Sequence, residues 1–391
     1  MSAGKSLQIP QFEGEAARQA HADLPADCFE RELGREGFFG PASHMYHRNP
    51  PTAWSSIEGP IRPRALRPRA VAEATHSPWQ TATLAHNSTI AVRYWTLHES
   101  MAVLARNADG DDLLFVHSGG GALFCDYGHL TIEAGDYVVL PRGTMWRIEL
   151  ETGQAPLEAL LIEATGSAYR LPERGLLGHH APFDPGVMAR PVLDARFNAQ
   201  PRGGRWQVDV KRGGQIGHIT YDFNPLDAIG WKGDQYPVRL NMRDIRGVSS
   251  HRLHLPPSVR TTFIADRFVV CSLVPRPVET DPGAVKLPFF HSNDDYDELI
   301  FYHSGVMSSR GGAVQLGELT FHPAGFTHGP HPQTLPHLLN HPATMFTGYS
   351  IAIDTRDPLQ LVTPPEGGEI TDYAQSWSAS IVYAPDADRN R

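Results

Sequence analysis

Cysteine is scarce: three residues, Cys28, Cys125 and Cys271, in a chain of 391. So few, so widely spaced, exclude a disulfide framework and a thiolate zinc site, and fit a reducing cytoplasm. Long apolar runs are missing too. Nothing approaches the roughly 20 consecutive apolar residues that cross a bilayer, and Met1 to Pro25 lacks the basic-then-apolar order of a secretory signal. Positive charge is in deficit, with 34 basic against 43 acidic residues and a net charge of −9. That balance excludes the basic footprint a nucleic-acid partner requires. Sustained helical periodicity is also absent; residues 25–36, with Cys28, Phe29 and Leu33, form the one candidate helix. In its place stand 36 glycines, 33 prolines and 20 histidines. The first two suit many short strands joined by turns. The third directs any metal site towards imidazole and carboxylate rather than sulfur.

Residues 1–75 are irregular, rich in Pro, Arg and Ser, and read as an arm with little regular structure; its residues 40–75 would suit an intersubunit contact. From Ile90 the chain turns to short β-branched and aromatic runs bounded by glycine, such as Ile90-Ala-Val-Arg-Tyr-Trp95. The expected class is all-β. A repeat gives the architecture. Leu113-Leu-Phe-Val-His-Ser-Gly119 recurs as Leu299-Ile-Phe-Tyr-His-Ser-Gly305, and Gly135-Asp-Tyr-Val-Val-Leu-Pro-Arg-Gly143 as Gly317-Glu-Leu-Thr-Phe-His-Pro-Ala-Gly325. Two motif pairs in the same order, at nearly the same offset, predict two copies of one barrel. The turn residues of Asp222–Gly230 place the boundary, so residues 76–225 and 226–391 are the expected barrels.

The spacing resembles that of the cupin family, whose motifs run HxH(x)4E(x)6G and G(x)5PxG(x)2H. In the second copy His291, Asn293, Glu298 and Gly305 fill the first motif, and Gly317, Pro323, Gly325 and His328 the second. Asn293 replaces one histidine. In the first copy Ala105, Asn107, Asp112 and Trp146 stand at the metal positions. The expectation is therefore a bicupin of two jelly-roll barrels, one degenerate and metal-free, one live. Ligands on neighbouring strands can converge on one ion inside a barrel. His291, Glu298 and His328 offer two imidazoles and one carboxylate, leaving three positions open, a set that favours Fe(II) and also accepts zinc or manganese. Asp297 competes with Glu298. Adjacent strand positions point to opposite faces, so only one of the two faces inward.

Further motifs resemble the homogentisate 1,2-dioxygenase-like family: Pro288-Phe-Phe-His291, Asp297-Glu-Leu-Ile300, Gly311-Gly312, Thr327-His-Gly-Pro330, and upstream Trp231-Lys-Gly, His254-Leu-Pro-Pro-Ser258 and Phe268–Arg276. The likeness covers most of residues 225–360 and, more faintly, His47-Arg-Asn-Pro-Pro51. It implies Fe(II) held by His291, Glu298 and His328, with His254 as base or hydrogen-bonding partner of a substrate hydroxyl. It also implies ring opening of a dihydroxylated aromatic with incorporation of both atoms of O₂, in a homo-oligomer. Arg310 would bind a substrate carboxylate. Two departures leave homogentisate and related hydroquinones or catechols open as substrates. Phe289 and Phe290 stand where the family carries aromatic hydroxyls, and the spacing from His to Glu is one residue longer than in the eukaryotic enzymes.

Phe289, Phe290 and Phe326 are expected to wall an apolar pocket, with His331 lining it and His322 supporting the ligands from behind. His117 and His303, equivalent in the two copies, read as packing or hydrogen-bonding residues. Tyr296 and Tyr302 read as core, Cys125 and Cys271 as small buried hydrophobes, and His179 and His180 as exposed. Two other readings stay open: a cupin isomerase or lyase that uses its metal as a Lewis acid, and a bicupin that binds a small molecule without turning it over.

Overall fold

A computed structural model gives the fold and describes residues 11–151, 153, 155–252, 254–285, 289–305, 312–331 and 344–378. Strands dominate, and the helical segments are single turns such as Ala195–Asn198. The first barrel packs a seven-stranded sheet against a six-stranded one. Trp95, Leu114, Leu123, Trp146 and Ile148 fill the space between them. A second six-stranded sheet carries Thr261–Ile264, Phe268–Leu273, Tyr349–Thr355, Asp297–Ser304, Leu319–His322 and Arg64–Leu66. It forms the wall of the second barrel.

Residue parity sorts the side chains, because successive strand residues point to opposite faces. Along Gly110–Ser118, Leu113 and Phe115 belong to the core between the barrels, whereas Leu114 and Val116 belong to the first barrel's interior. Along Asp297–Ser304, Leu299 and Phe301 join the same shared core, and Ile300 and Tyr302 join the second barrel's interior. Even positions there point inward, and Glu298 is one of them. The repeat is visible as an approximate twofold in the shared core. Phe115 packs edge-on against His303, and Phe301 against His117, each at 4.9 Å between ring centres.

Three features differ from the sequence reading. The candidate helix at residues 25–36 is instead the strand Phe29–Gly34, which pairs parallel with Phe290–Asn293 and antiparallel with Ala42–His47. A partner strand on each side outweighs a short stretch of helical spacing. The arm is correspondingly more ordered than its composition suggests, and Arg64–Leu66 extends the second barrel's sheet beside Leu319–Phe321. Strand pairing also crosses the expected barrel limits: Val238–Asn241 pairs with Asp136–Leu140 of the first barrel, and Gln360–Leu361 with Thr83–His86.

Candidate metal centre

The site forms where Phe290–Asn293, Asp297–Ser304 and the segment after Leu319–His322 meet. His291 and His328 form an isolated antiparallel bridge, with backbone N–H···O distances of 2.9 and 3.0 Å. Their rings stand 4.2 Å apart. Ligand atoms of His291, Glu298 and His328 all lie within 4.8 Å of one another.

The same local device fixes both imidazoles. Nδ1 of His291 lies 2.8 Å from the Phe289 carbonyl, and Nδ1 of His328 lies 3.3 Å from the Phe326 carbonyl. A carbonyl only accepts, so Nδ1 carries the proton and Nε2 the lone pair in each ring. Nε2 of His328 approaches Glu298 Oε2 to 2.8 Å. It is buried and makes no hydrogen bond among the described residues. A buried nitrogen beside a carboxylate, without a proton between them, fits two donors turned towards a common cation. Burial depresses the His291 imidazolium to about 3, with His328 adding to the effect. For Glu298, burial alone would raise the carboxyl, but the net shift is well downward, with His322 placed to donate to Oε2.

His322 backs this group. It is fully buried, stacks on His328 at 4.5 Å, and places Nδ1 2.8 Å from Glu298 Oε2. Its Nε2 lies 2.8 Å from the Tyr373 hydroxyl. Asp297 is engaged elsewhere. Its two carboxylate oxygens accept the Ala324 and Leu359 amides, each at 2.8 Å. Asp111 does the same in the first barrel, accepting from Arg142 N at 2.8 Å and Tyr169 N at 3.0 Å. The first member of each Asp–Asp/Glu pair is therefore a clamp on two loops. In the first barrel Trp146 is buried, and Asp112 accepts from Asn107 at 2.9 Å. The positions that correspond to a metal site there are occupied by an indole and an amide–carboxyl pair.

Phe289 stands at the centre of the surrounding aromatic group. Its ring stacks on His21 at 4.0 Å and meets the rings of His254 and His291 edge-on, each at 5.4 Å. Phe290 turns the other way, into a small cluster with Phe29 and Phe346. Phe326 is half-buried and contributes its carbonyl to His328. His331 is buried with Nε2 3.0 Å from Ser376 Oγ and its ring edge-on to Trp377. Arg310 lies outside the described residues.

His254 is 2% exposed. Its Nδ1 lies 3.1 Å from Glu279 Oε1 and 3.2 Å from Arg276 Nη2. Burial drives its imidazolium down to about 3; Glu279 opposes, and Arg260 and Arg276 reinforce the shift. Sequence reasoning missed Glu279 and three further residues here. Arg260 is 8% exposed, its Nε makes no hydrogen bond among the described residues, and burial followed by Arg276 lowers its guanidinium to about 10. Phe38, in left-handed backbone at φ 65°, packs edge-on to His291 at 5.6 Å. His21 is the third. Both aromatic rings reach the site on the arm, through pairing that local sequence does not announce.

Comparison with known proteins was made against this geometry. A family model described as homogentisate 1,2-dioxygenase N-terminal matches residues 71–242, ahead of the metal-site residues. A Saccharolobus solfataricus protein, named only provisionally as a dioxygenase, is 29% identical over 390 residues, covering 94% of this chain and 98% of its own. A homogentisate 1,2-dioxygenase from Bradyrhizobium diazoefficiens is 26% identical over 286 residues, 69% of this chain, and the match spans 62% of that enzyme's length. Among solved structures, a cupin 2 conserved barrel domain protein from Leptotrichia buccalis aligns with 75% of this chain and 96% of its own at a TM-score of 0.32 and 10% identity. By sequence, the chain is similar to homogentisate 1,2-dioxygenases and to a protein provisionally named a dioxygenase.

Proposed function

We propose that the protein is an Fe(II)-dependent dioxygenase that opens the ring of homogentisate or a related dihydroxylated aromatic. The observation that carries the reading is the convergence of His291, Glu298 and His328, with both imidazoles turned to present Nε2. The names of the relatives point the same way. Two imidazoles and one carboxylate suit ferrous iron with open positions, which supplies a redox centre on which an aromatic diol and O₂ can meet.

The other residues take roles that follow from their surroundings. His254 is neutral near pH 7 because it is buried. Its Nδ1 is engaged by Glu279 and Arg276, which leaves Nε2 as the ring atom to meet a substrate hydroxyl, as base or hydrogen-bonding partner. Phe289 walls the pocket between His254 and His291 and keeps water from the reacting ring. Arg260 and Arg276 set two buried cations against the single carboxylate of Glu279, which favours a substrate bearing an anionic substituent. No helix among the described residues is long and apolar enough to cross a membrane. A cytoplasmic location and homo-oligomeric assembly belong to the same reading.

An oxygen electrode tests it. Ferrous protein should consume O₂ with homogentisate, gentisate or a simple hydroquinone and yield a new ultraviolet absorber. Absence of uptake with every dihydroxy aromatic, at stoichiometric iron, rejects the reading. Conversion of substrate without O₂ uptake would favour the isomerase or lyase alternative.

A further inference from the structure

The arm carries a second group of potential ligands. In the strand Phe29–Gly34 the usual pattern is inverted. Glu30 and Glu32 are each 4% exposed, while Phe29, Arg31 and Leu33 are only half-buried. A strand that turns two carboxylates inward at a cost in desolvation must compensate them. Register supplies the surroundings. Glu32 lies directly opposite His44 and Glu30 opposite Tyr46, so all four occupy one face. His21 completes the group, pinned by the Val285 amide on its carbonyl at 2.9 Å and by Glu30 on its own amide.

We propose that His21, Glu32 and His44 form a second divalent-metal site, suited to zinc, that staples the segments of the arm together where they pack on the catalytic barrel. Their ligand atoms lie within 4.8 Å of one another. Nε2 of His21 stands 3.2 Å from Glu32 Oε2, close to the roughly 3.3 Å edge of a tetrahedron with bonds of about 2.0 Å. Glu30 is the outer partner: its Oε2 holds His21 Nδ1 at 2.7 Å, the carboxylate–histidine arrangement that fixes a ligating ring with Nε2 towards the ion. Tyr46 donates to the other oxygen of Glu30 at 3.1 Å. Charge agrees: Glu30 and Glu32 place two carboxylates in one buried cluster, and a divalent ion balances them. The donor set, two nitrogens and one carboxylate oxygen, selects a borderline transition metal over magnesium or calcium. Position gives the role. Glu32 is paired in register with His291, and the His21 ring lies flat on Phe289, so the ion would set one wall of the pocket without touching substrate.

The test removes the two histidine ligands of the catalytic site and asks what remains. The double variant His291→Ala/His328→Ala, as the full chain, is stripped with chelator and titrated with Co(II), followed by visible absorption and by metal analysis after desalting. The expected result is one tightly held equivalent per chain, lost when Glu32→Gln or His44→Ala is added, with far-UV circular dichroism unchanged. A folded double variant that retains no Co(II), or that retains it equally with Glu32→Gln and with His44→Ala, overturns the proposal. Because His291 and His328 are absent throughout, neither outcome depends on the dioxygenase reading.

Discussion

Nδ1 of His117 lies 3.0 Å from Nδ1 of His303, so two residues 186 positions apart in the sequence share one proton at the joint of the two barrels. One ring must donate and the other accept, and protonating both would set two cations against each other. Burial lowers each imidazolium to about 4 from an ordinary 6.5. Above pH 6.5 neither the folded nor the unfolded histidine binds a proton, and the pair's contribution is fully present. Between about 6.5 and about 4 the unfolded chain takes up protons that the folded chain refuses, and stability is lost as the pH falls. Urea denaturation at pH 7.5 and pH 5 should therefore differ by a few kcal/mol, on the order of 1 to 3. His117→Phe/His303→Leu should flatten that difference; an unchanged acid slope would dismiss this pair as its source.

Asp297 and Glu298 are neighbours with opposite duties, and substitution should separate them. Glu298→Ala should abolish iron retention with little change in the melting of the iron-free protein. Asp297→Ala should retain iron but leave the Ala324 and Leu359 amides without their acceptor. Two such losses amount to about 2 to 4 kcal/mol. Metal analysis and thermal denaturation of both variants decide the point, and iron loss confined to Asp297→Ala would move the carboxylate ligand by one position.

Much of this arrangement is legible in the chain itself. The repeated Leu-Phe-His-Ser-Gly pattern carries the two barrels, and period-two alternation from Ile300 and Tyr302 carries Glu298 inward. The clamp role of Asp297 is less visible, since it depends on where Leu359 returns. The arm is the hardest part to read. Phe29–Gly34 has no local pattern that demands a parallel partner at Phe290–Asn293, and nothing near His21 announces Phe289. Burial of a cation such as Arg260 is set by packing from several elements and leaves no mark on spacing.

His322 should tune the metal without holding it. It joins Glu298 to Tyr373 through its two ring nitrogens, so His322→Gln removes a partner that orients the carboxylate. A loss of about 10- to 100-fold in iron affinity is expected, measured by competition with a chelator. Tyr373→Phe, which keeps the ring and deletes only the hydroxyl, should cost less. Equal and large losses from both would mean that the hydroxyl, rather than the imidazole, organises Glu298.

Arg260 gives the sharpest statement about substrate. Its guanidinium is buried beside Arg276, and among the described residues Glu279 is the carboxylate set against the two cations. A substrate carboxylate would complete the balance; a neutral hydroquinone would leave it open. Arg260→Met keeps most of the side-chain volume and removes the charge, so it should raise KM for homogentisate or gentisate about 10-fold or more while leaving KM for unsubstituted hydroquinone within about twofold. Iron content should not change, because Arg260 is not among the metal-site residues. The comparison is internal: each substrate is measured on the same two proteins, so a general loss of folding or iron lowers both activities together and is recognised as such. If KM rises equally for charged and neutral substrates, Arg260 supports the His254 loop and has no part in choosing the anion.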